Sequence, residues 1–251
     1  MTLRALIVDK VSFGNKTAII TGSAKGLGKE IAIALGKQCC NVVLHYNQSK
    51  KEAEEVKFIV GKTGSKVIAI KANLENPEEV KKLFLSAHKK FGRIDFLVNN
   101  VGNFLYKDIQ DVNAEEWKEI IDTTLNSTFL CCRECLSFMR KNKFGKIINI
   151  GDSEADKIAA SRFMTAYKIG KVGVLMLTKS LALAEAGNNI TVNMVSPGIM
   201  RNSVVMPELK DIPLGRYAEF EDVVNAVLFL LSEKADYITG ENLIVAGGWN
   251  L

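Results

Sequence analysis

The sequence predicts an α/β fold: a doubly wound parallel sheet of about seven strands with helices on both faces. Two observations carry this. Short β-branched apolar runs alternate with longer amphipathic segments along the chain. No internal repeat or Pro/Ser-rich linker divides it, and its four prolines are dispersed. Thr17–Ile20 reads as the first strand, stopped by a glycine turn, with Gly26–Lys37 as the helix after it. Asn41–His45 is the second strand and Lys51–Thr63 its helix; Lys66–Ile70 and Pro77–Phe91 form the third pair. Asn76 is the N-cap of the last of these, with Pro77 at its first helical position. Phe96–Asn99 precedes the long helical pattern Ala114–Lys141, capped by Asn113. Lys146–Ile150 and Thr165–Ala186 follow, then Thr191–Val195 and Glu219–Leu231, and Asn242–Val245 closes the series. Parallel strands require such crossovers, and the sheet is buried on both faces. Residues 1–251 are read as one domain, with residues 1–12 as an N-terminal extension.

Composition excludes several classes. Of 251 residues, 47% are hydrophobic and 24% charged, and 33 Lys+Arg against 28 Asp+Glu leave a net charge of +5. A chain so apolar and so weakly charged is not disordered. No run approaches the ~18 apolar residues of a membrane span. Ala5-Leu6-Ile7-Val8, followed by Asp9-Lys10, is too short for a secretory core. The five cysteines are Cys39, Cys40, Cys131, Cys132 and Cys135. The Cys132–Cys135 pair falls mid-helix, and His45 and His88 are too few to complete a metal site. The thiols therefore read as small apolar side chains in a reducing cytoplasm, with no metal. Lysines interleave with glutamates, as in Glu78-Glu79-Val80-Lys81-Lys82, which describes a solvated surface and not a nucleic-acid stripe.

Chemistry is expected beyond the carboxyl ends of the strands, where their order reverses. The first strand runs into Thr21-Gly22-Ser23-Ala24-Lys25-Gly26-Leu27-Gly28 and then a helix. Glycines let the backbone approach a pyrophosphate with no Cβ in the way, and the helix start offers unpaired N–H groups. Gly22, Ser23, Lys25, Gly26, Leu27 and Gly28 are thus candidate cofactor contacts. After the second strand comes Tyr46-Asn47-Gln48-Ser49-Lys50-Lys51, with no acid before Glu52. A carboxylate there would take a ribose 2′-hydroxyl. Hydroxyl, amide and ammonium groups suit a 2′-phosphate instead, so Tyr46, Asn47 and Ser49, with the positive Lys25 nearby, point to NADPH.

Tyr167 and Lys171 stand four apart on one helical face. A phenol is a poor acid near neutrality, and an adjacent ammonium is expected to lower its pKa. Tyr46 and Lys50 share the spacing, but they follow the second strand, at the adenosine end.

Four motifs, Thr21-Gly22-xxx-Gly26-x-Gly28, Asn99-Asn100-Val101-Gly102, Tyr167-xxx-Lys171 and Pro197-Gly198, occur in this order. The chain resembles a short-chain dehydrogenase/reductase over nearly its whole length. That resemblance implies a Rossmann-like fold, with Asn100 and Gly102 along the cofactor and Pro197 and Gly198 lining the nicotinamide. It also implies that Lys171 binds the nicotinamide ribose, and that the chain forms homotetramers or homodimers.

The sequence departs from that family at informative places. Asp152, followed by Ser153, stands where the family has a serine that polarises substrate, and the loop to Tyr167 looks long. Thr124 stands where an asparagine organises a relay water. Asn73, with Leu74 beside it, replaces an adenine-contacting aspartate, and Asn202 a threonine. Asp in the serine's place, Leu44-His45-Tyr46 and an aromatic Phe104 after the Asn-Asn pair are similar to pteridine reductases. In that branch the aromatic residue stacks on the pterin.

The expected activity is hydride transfer from NADPH to the C=O or C=N of a small molecule, a 3-oxoacyl group or other ketone, or a pterin. Tyr167 acts as acid, Lys171 tunes it, and Asp152 or Ser153 orients substrate. The competing reading is a cofactor-binding sensor or scaffold without catalysis. The C-terminal run Val245–Leu251 is apolar, as for burial on a partner or on its own subunit.

Overall fold

The computed structural model describes residues 12–250. Most of the expected N-terminal extension, the Ala5–Val8 run and Leu251 lie outside the described residues. Seven parallel strands form one sheet in the order β3-β2-β1-β4-β5-β6-β7. They are β1 (Thr17–Ile20), β2 (Asn41–Tyr46), β3 (Val67–Lys71), β4 (Phe96–Asn99), β5 (Gly145–Ile150), β6 (Ile190–Pro197) and β7 (Asn242–Val245). The helices are α1 (Gly26–Lys37), α2 (Lys50–Gly61), α3 (Pro77–Phe91), α4 (Ala114–Ile121), α5 (Ser127–Asn142), α6 (Thr165–Glu185) and α7 (Phe220–Leu231). The order reverses between β1 and β4, so the expected crevice opens above that pair.

Strand alternation sorts the core into two layers. Ala18, Ile20, Val42, Leu44, Phe96 and Val98 pack with α1, α2 and α7. Ile19, Val43, Leu97 and Ile147 face the other way, against α3 and α5. Three of the buried thiols, Cys131, Cys132 and Cys135, belong to this second layer. The caps form as expected. Asn76 Oδ1 accepts the Glu78 N–H at 3.0 Å, and Asn113 with Glu116 closes a reciprocal capping box.

One element differs from expectation. The helix expected over 114–141 forms without a break, but a π-helical turn, Asp122–Asn126, interrupts its α-helical ladder between α4 and α5. Its cause is local and tertiary together. Thr123, Ser127 and Thr128 each turn a hydroxyl back onto a carbonyl four residues earlier, which loosens the helical ladder. The bulge pushes Thr124 and Leu125 onto α6, which meets them with glycines. A Cβ on Gly170 would lie 3.0 Å from the Thr124 methyl, and one on Gly173 2.8 Å from Leu125. Those glycines share the helix of Tyr167 and Lys171, so the bulge fixes that helix over the sheet.

Candidate active site

The turn after β1 is shaped by glycine and braced from three sides. Gly22 and Gly26 adopt φ of +61° and +54°, conformations costly to other residues. Thr21 Oγ1 accepts the backbone N–H groups of Asn100 at 2.8 Å and Val101 at 3.2 Å. The Asn100 amide donates to the carbonyls of Thr21 and Gly22. From β2, His45 Nδ1 accepts the Gly22 N–H at 3.0 Å, and its Nε2 donates to the Ala72 carbonyl at 3.0 Å. Burial holds His45 below the ordinary imidazole range, which suits this neutral tautomer. Ser23, expected to touch a cofactor, is fully buried, and its Oγ accepts the His45 N–H. It belongs to the brace and not to the cleft wall. Gly28 approaches the Gly22 carbonyl so closely that a Cβ there would lie 2.6 Å from it.

α1 starts at Gly26 with no side chain capping it, so its first-turn N–H groups remain available to an anion. On one side of the turn lies a cleft of about 500 Å³ whose walls include Gly22, Lys25, Tyr46, Asn47, Ser49, Asn73 and Leu74. Lys25 brings its positive charge to this wall as expected, and it pairs with Glu52 at 2.7 Å, because the first turn of α2 brings that carboxylate back to the loop.

On the other side is a cleft of about 680 Å³. Leu27, Asn100, Gly102, Pro197 and Gly198 line it, together with Phe104, Asp152, Ser153, Tyr167 and Lys171. Ser153 is buried, and its N–H donates to the Pro197 carbonyl at 3.1 Å. The C-terminal Trp249 and Asn250 also line this cleft, so the apolar chain end packs at least partly on its own subunit.

The electrostatics correct one expectation. Lys171 Nζ is buried and donates to the Ile150 carbonyl at 2.7 Å, 5.6 Å from the centre of the Tyr167 ring. Desolvation drives Lys171 down to about 8, with Asp152 opposing. The Tyr167 phenol is nevertheless held above its ordinary value, first by burial and then by the Asp152 carboxylate beside it. The ammonium is engaged by the Ile150 carbonyl, and burial, with the Asp152 carboxyl second, governs the hydroxyl. Asp152 is itself raised by burial, against the Glu154 N–H that donates to its Oδ1 at 3.0 Å. Phe104 sets its edge against the Tyr167 ring, centroids 5.0 Å apart. Thr124 Oγ1 is buried without a partner among the described residues. It and Lys171 Nζ flank Gly102, 3.5 and 3.6 Å from where a Cβ would stand.

Residues 22–250 match the family model described as enoyl-(acyl carrier protein) reductase. A 3-oxoacyl-(acyl-carrier-protein) reductase of Staphylococcus epidermidis is 36% identical over 242 residues, covering 93% of this chain and 98% of the relative. The chain belongs to the short-chain dehydrogenase/reductase family. Glucose 1-dehydrogenase 2 of Bacillus subtilis is 34% identical, covering 94% of this chain and 95% of its own. A solved Sinorhizobium meliloti chain, assigned to the short-chain alcohol dehydrogenases, superposes with a TM-score of 0.89 at 27% identity, covering 95% of this chain and 97% of that one.

A nicotinamide dinucleotide, the cofactor of short-chain dehydrogenase/reductases, fits the residues present. The glycine cradle and the uncapped α1 start lie between two clefts of suitable size for its halves. Several site residues lie outside the motifs that mark the family: His45 as a brace, Glu52 as partner of Lys25, and Glu154, Lys168 and Trp249 in the cleft wall. Only the Leu44-His45-Tyr46 run gave a signal in advance; the rest depend on contacts between distant segments.

Proposed function

We propose that the chain is an NADPH-dependent reductase that delivers hydride to the C=O or C=N of a small molecule. The observation that carries this is Tyr167, Lys171 and Asp152 in one cleft, whose wall continues across the glycine turn into a second. NADPH, when bound, supplies the hydride. Gly22, Gly26, Leu27 and Gly28 would hold its pyrophosphate, Asn73 and Leu74 its adenine side, and Asn100, Gly102, Pro197 and Gly198 its nicotinamide side. Preference for the 2′-phosphate is supported by Tyr46, Asn47 and Ser49, and by an α2 start that no side chain caps.

Tyr167 is fully protonated near neutrality and gives its proton to the substrate atom that gains charge. Lys171 stabilises the phenolate left behind. Asp152, once protonated, donates a hydrogen bond that orients the substrate, with Ser153 beside it. Thr124 and Lys171, flanking Gly102, form the start of a path that returns a proton to the phenol.

A 3-oxoacyl thioester or similar ketone is the first substrate class, supported by the reductases to which the chain is similar. A pterin is the second, favoured by Phe104 against Tyr167 and by a carboxyl suited to protonating a ring nitrogen. Residues 1–251 act as one reductase domain in the cytoplasm. Assembly into homotetramers or homodimers is supported by the apolar outer faces of α6 and β7.

The test is NADPH oxidation followed with acetoacetyl thioester and with dihydrobiopterin. Turnover with one substrate is expected, falling about 10³-fold in Tyr167→Phe while NADPH still binds. A Tyr167→Phe protein as active as the parent would leave the scaffold or sensor reading in its place.

A further inference from the structure

One large side chain in the substrate cleft has no part in the chemistry above. Trp249 is the largest residue in the wall of the cleft that holds Tyr167 and Asp152. Tryptophan is a mostly buried residue that usually serves a core. Trp249 does not: it packs with none of the three apolar clusters and stays partly exposed. Backbone contacts fix the segment that carries it. The Gly198 N–H donates to the Val245 carbonyl at 3.0 Å, and a Cβ on Gly198 would lie 2.7 Å from the Ala246 Cα. The chain then turns at Gly247 and Gly248, whose φ are +62° and +86°. The Trp249 N–H closes that turn on the Ala246 carbonyl at 3.0 Å. Outside the turn, the Gly247 carbonyl accepts the Leu214 N–H at 3.0 Å, and a Cβ on Gly248 would stand 2.8 Å from the Pro213 ring. Next along the chain, the Asn250 carbonyl accepts Lys157 Nζ, from the loop that carries Asp152. Trp249 is thus held between the nicotinamide-side pair Pro197-Gly198 and the loop after β5.

We propose that Trp249 is a specificity-determining residue: its indole takes up room in the cleft that a substrate's substituent would otherwise fill, so the site admits compact ketones and turns away bulky ones. The rest of the wall supports this. Met164, Met200, Val204, Val205, Met206 and Pro207 bring apolar surface to the same cleft. A substituent lodged among them is apolar and is sorted by its size, not by hydrogen bonds. Methionines reshape themselves around what they hold, so they reject little. An indole has only two side-chain torsions, and this one stands on a turn pinned from both sides. Exclusion by size therefore falls to Trp249.

Selection during turnover rests on the proposed reductase activity; exclusion from the cleft does not. The experiment therefore reads binding first. Full-length Tyr167→Phe protein, loaded with NADPH and too slow to consume it, is titrated calorimetrically with acetoacetyl thioester and with the bulkier benzoylacetyl thioester. Adding Trp249→Ala should favour the benzoylacetyl over the acetoacetyl thioester by about tenfold relative to the Tyr167→Phe parent. Trp249→Phe, which keeps a smaller ring on the turn, should shift the ratio the same way by less, and it carries the test if the alanine variant does not fold. With Tyr167 restored, the ratio of kcat/KM for the two thioesters should move as the binding ratio does. A merely structural link would weaken both thioesters together and leave their ratio unchanged. That result, a shift toward the smaller thioester, or a protein that binds neither would overturn the assignment. If the binding ratio shifts while the protein with Tyr167 reduces neither thioester, the reductase reading fails and the assignment of Trp249 stands.

Discussion

His45 shows how one side chain couples protonation to the cofactor cradle. Its Nδ1 holds the Gly22 N–H and its Nε2–H holds the Ala72 carbonyl, so protonating the ring would set two N–H groups head to head. Burial lowers its folded pKa below the roughly 6.5 of an unfolded chain. The unfolded state therefore takes up the proton first as pH falls. The stability due to neutral His45 is fully present above pH ~6.5 and is lost as pH drops toward the folded value. Thermal melts across that window should slope less steeply in His45→Gln, which offers an acceptor but does not titrate. His45→Leu leaves the Gly22 N–H without that acceptor, at about 1–3 kcal/mol, and should weaken NADPH roughly tenfold in a fluorescence titration. The residue-level features legible in the sequence were those that act through their neighbours along the chain. The glycines at 22 and 26 and the Tyr167–Lys171 pair are of this kind. Ser23 as a brace, and a Tyr167 phenol raised by burial and by Asp152, arise from segments brought together only by the fold.

Among the elements, the join between α4 and α5 carries the most consequence. Strand alternation and helical spacing fixed the elements to within one or two residues, since each pattern repeats within its own segment. The π-turn at Asp122–Asn126 was hidden, because the apolar pattern runs through it and its cause lies partly in Gly170 and Gly173 of another helix. α4 is only eight residues long, so its start matters more than usual. Its capping box uses Asn113 Oδ1 to accept the Glu116 N–H at 2.8 Å, and Glu116 also pairs with Lys107. Asn113→Ala should cost about 1 kcal/mol, seen as a lower urea midpoint with an unchanged slope. Activity per folded molecule should be retained, because no residue of α4 lines the cleft that holds Tyr167 and Asp152. A loss of kcat larger than the loss of stability would show that fraying at Asn113 travels to Thr124 and α6.

For the molecule as a whole, the same helix that offers Tyr167 and Lys171 inward offers an apolar row outward. Ile169, Met176 and Leu183 recur every seven residues on α6, at 46%, 70% and 86% exposure. Phe129 on α5 is exposed too, and so are Leu243 and Ile244 on β7, the edge strand of the sheet. Uncovered apolar faces and an unpaired strand edge are costly in water and prone to unselective pairing, so covering both with copies of the chain is the economical arrangement. Each self-complementary face builds a two-fold axis, and two such faces generate a tetramer. Light scattering on the intact protein should therefore give a mass about four times that of the chain. Met176→Glu with Leu183→Glu places carboxylates on the α6 face and should reduce that mass to the dimer held through β7. Tyr167 and Lys171 point to the opposite side of α6, so the dissociated protein should still bind NADPH. A parent protein that is already monomeric at micromolar concentration would show that these rows are covered from within, or by a different partner.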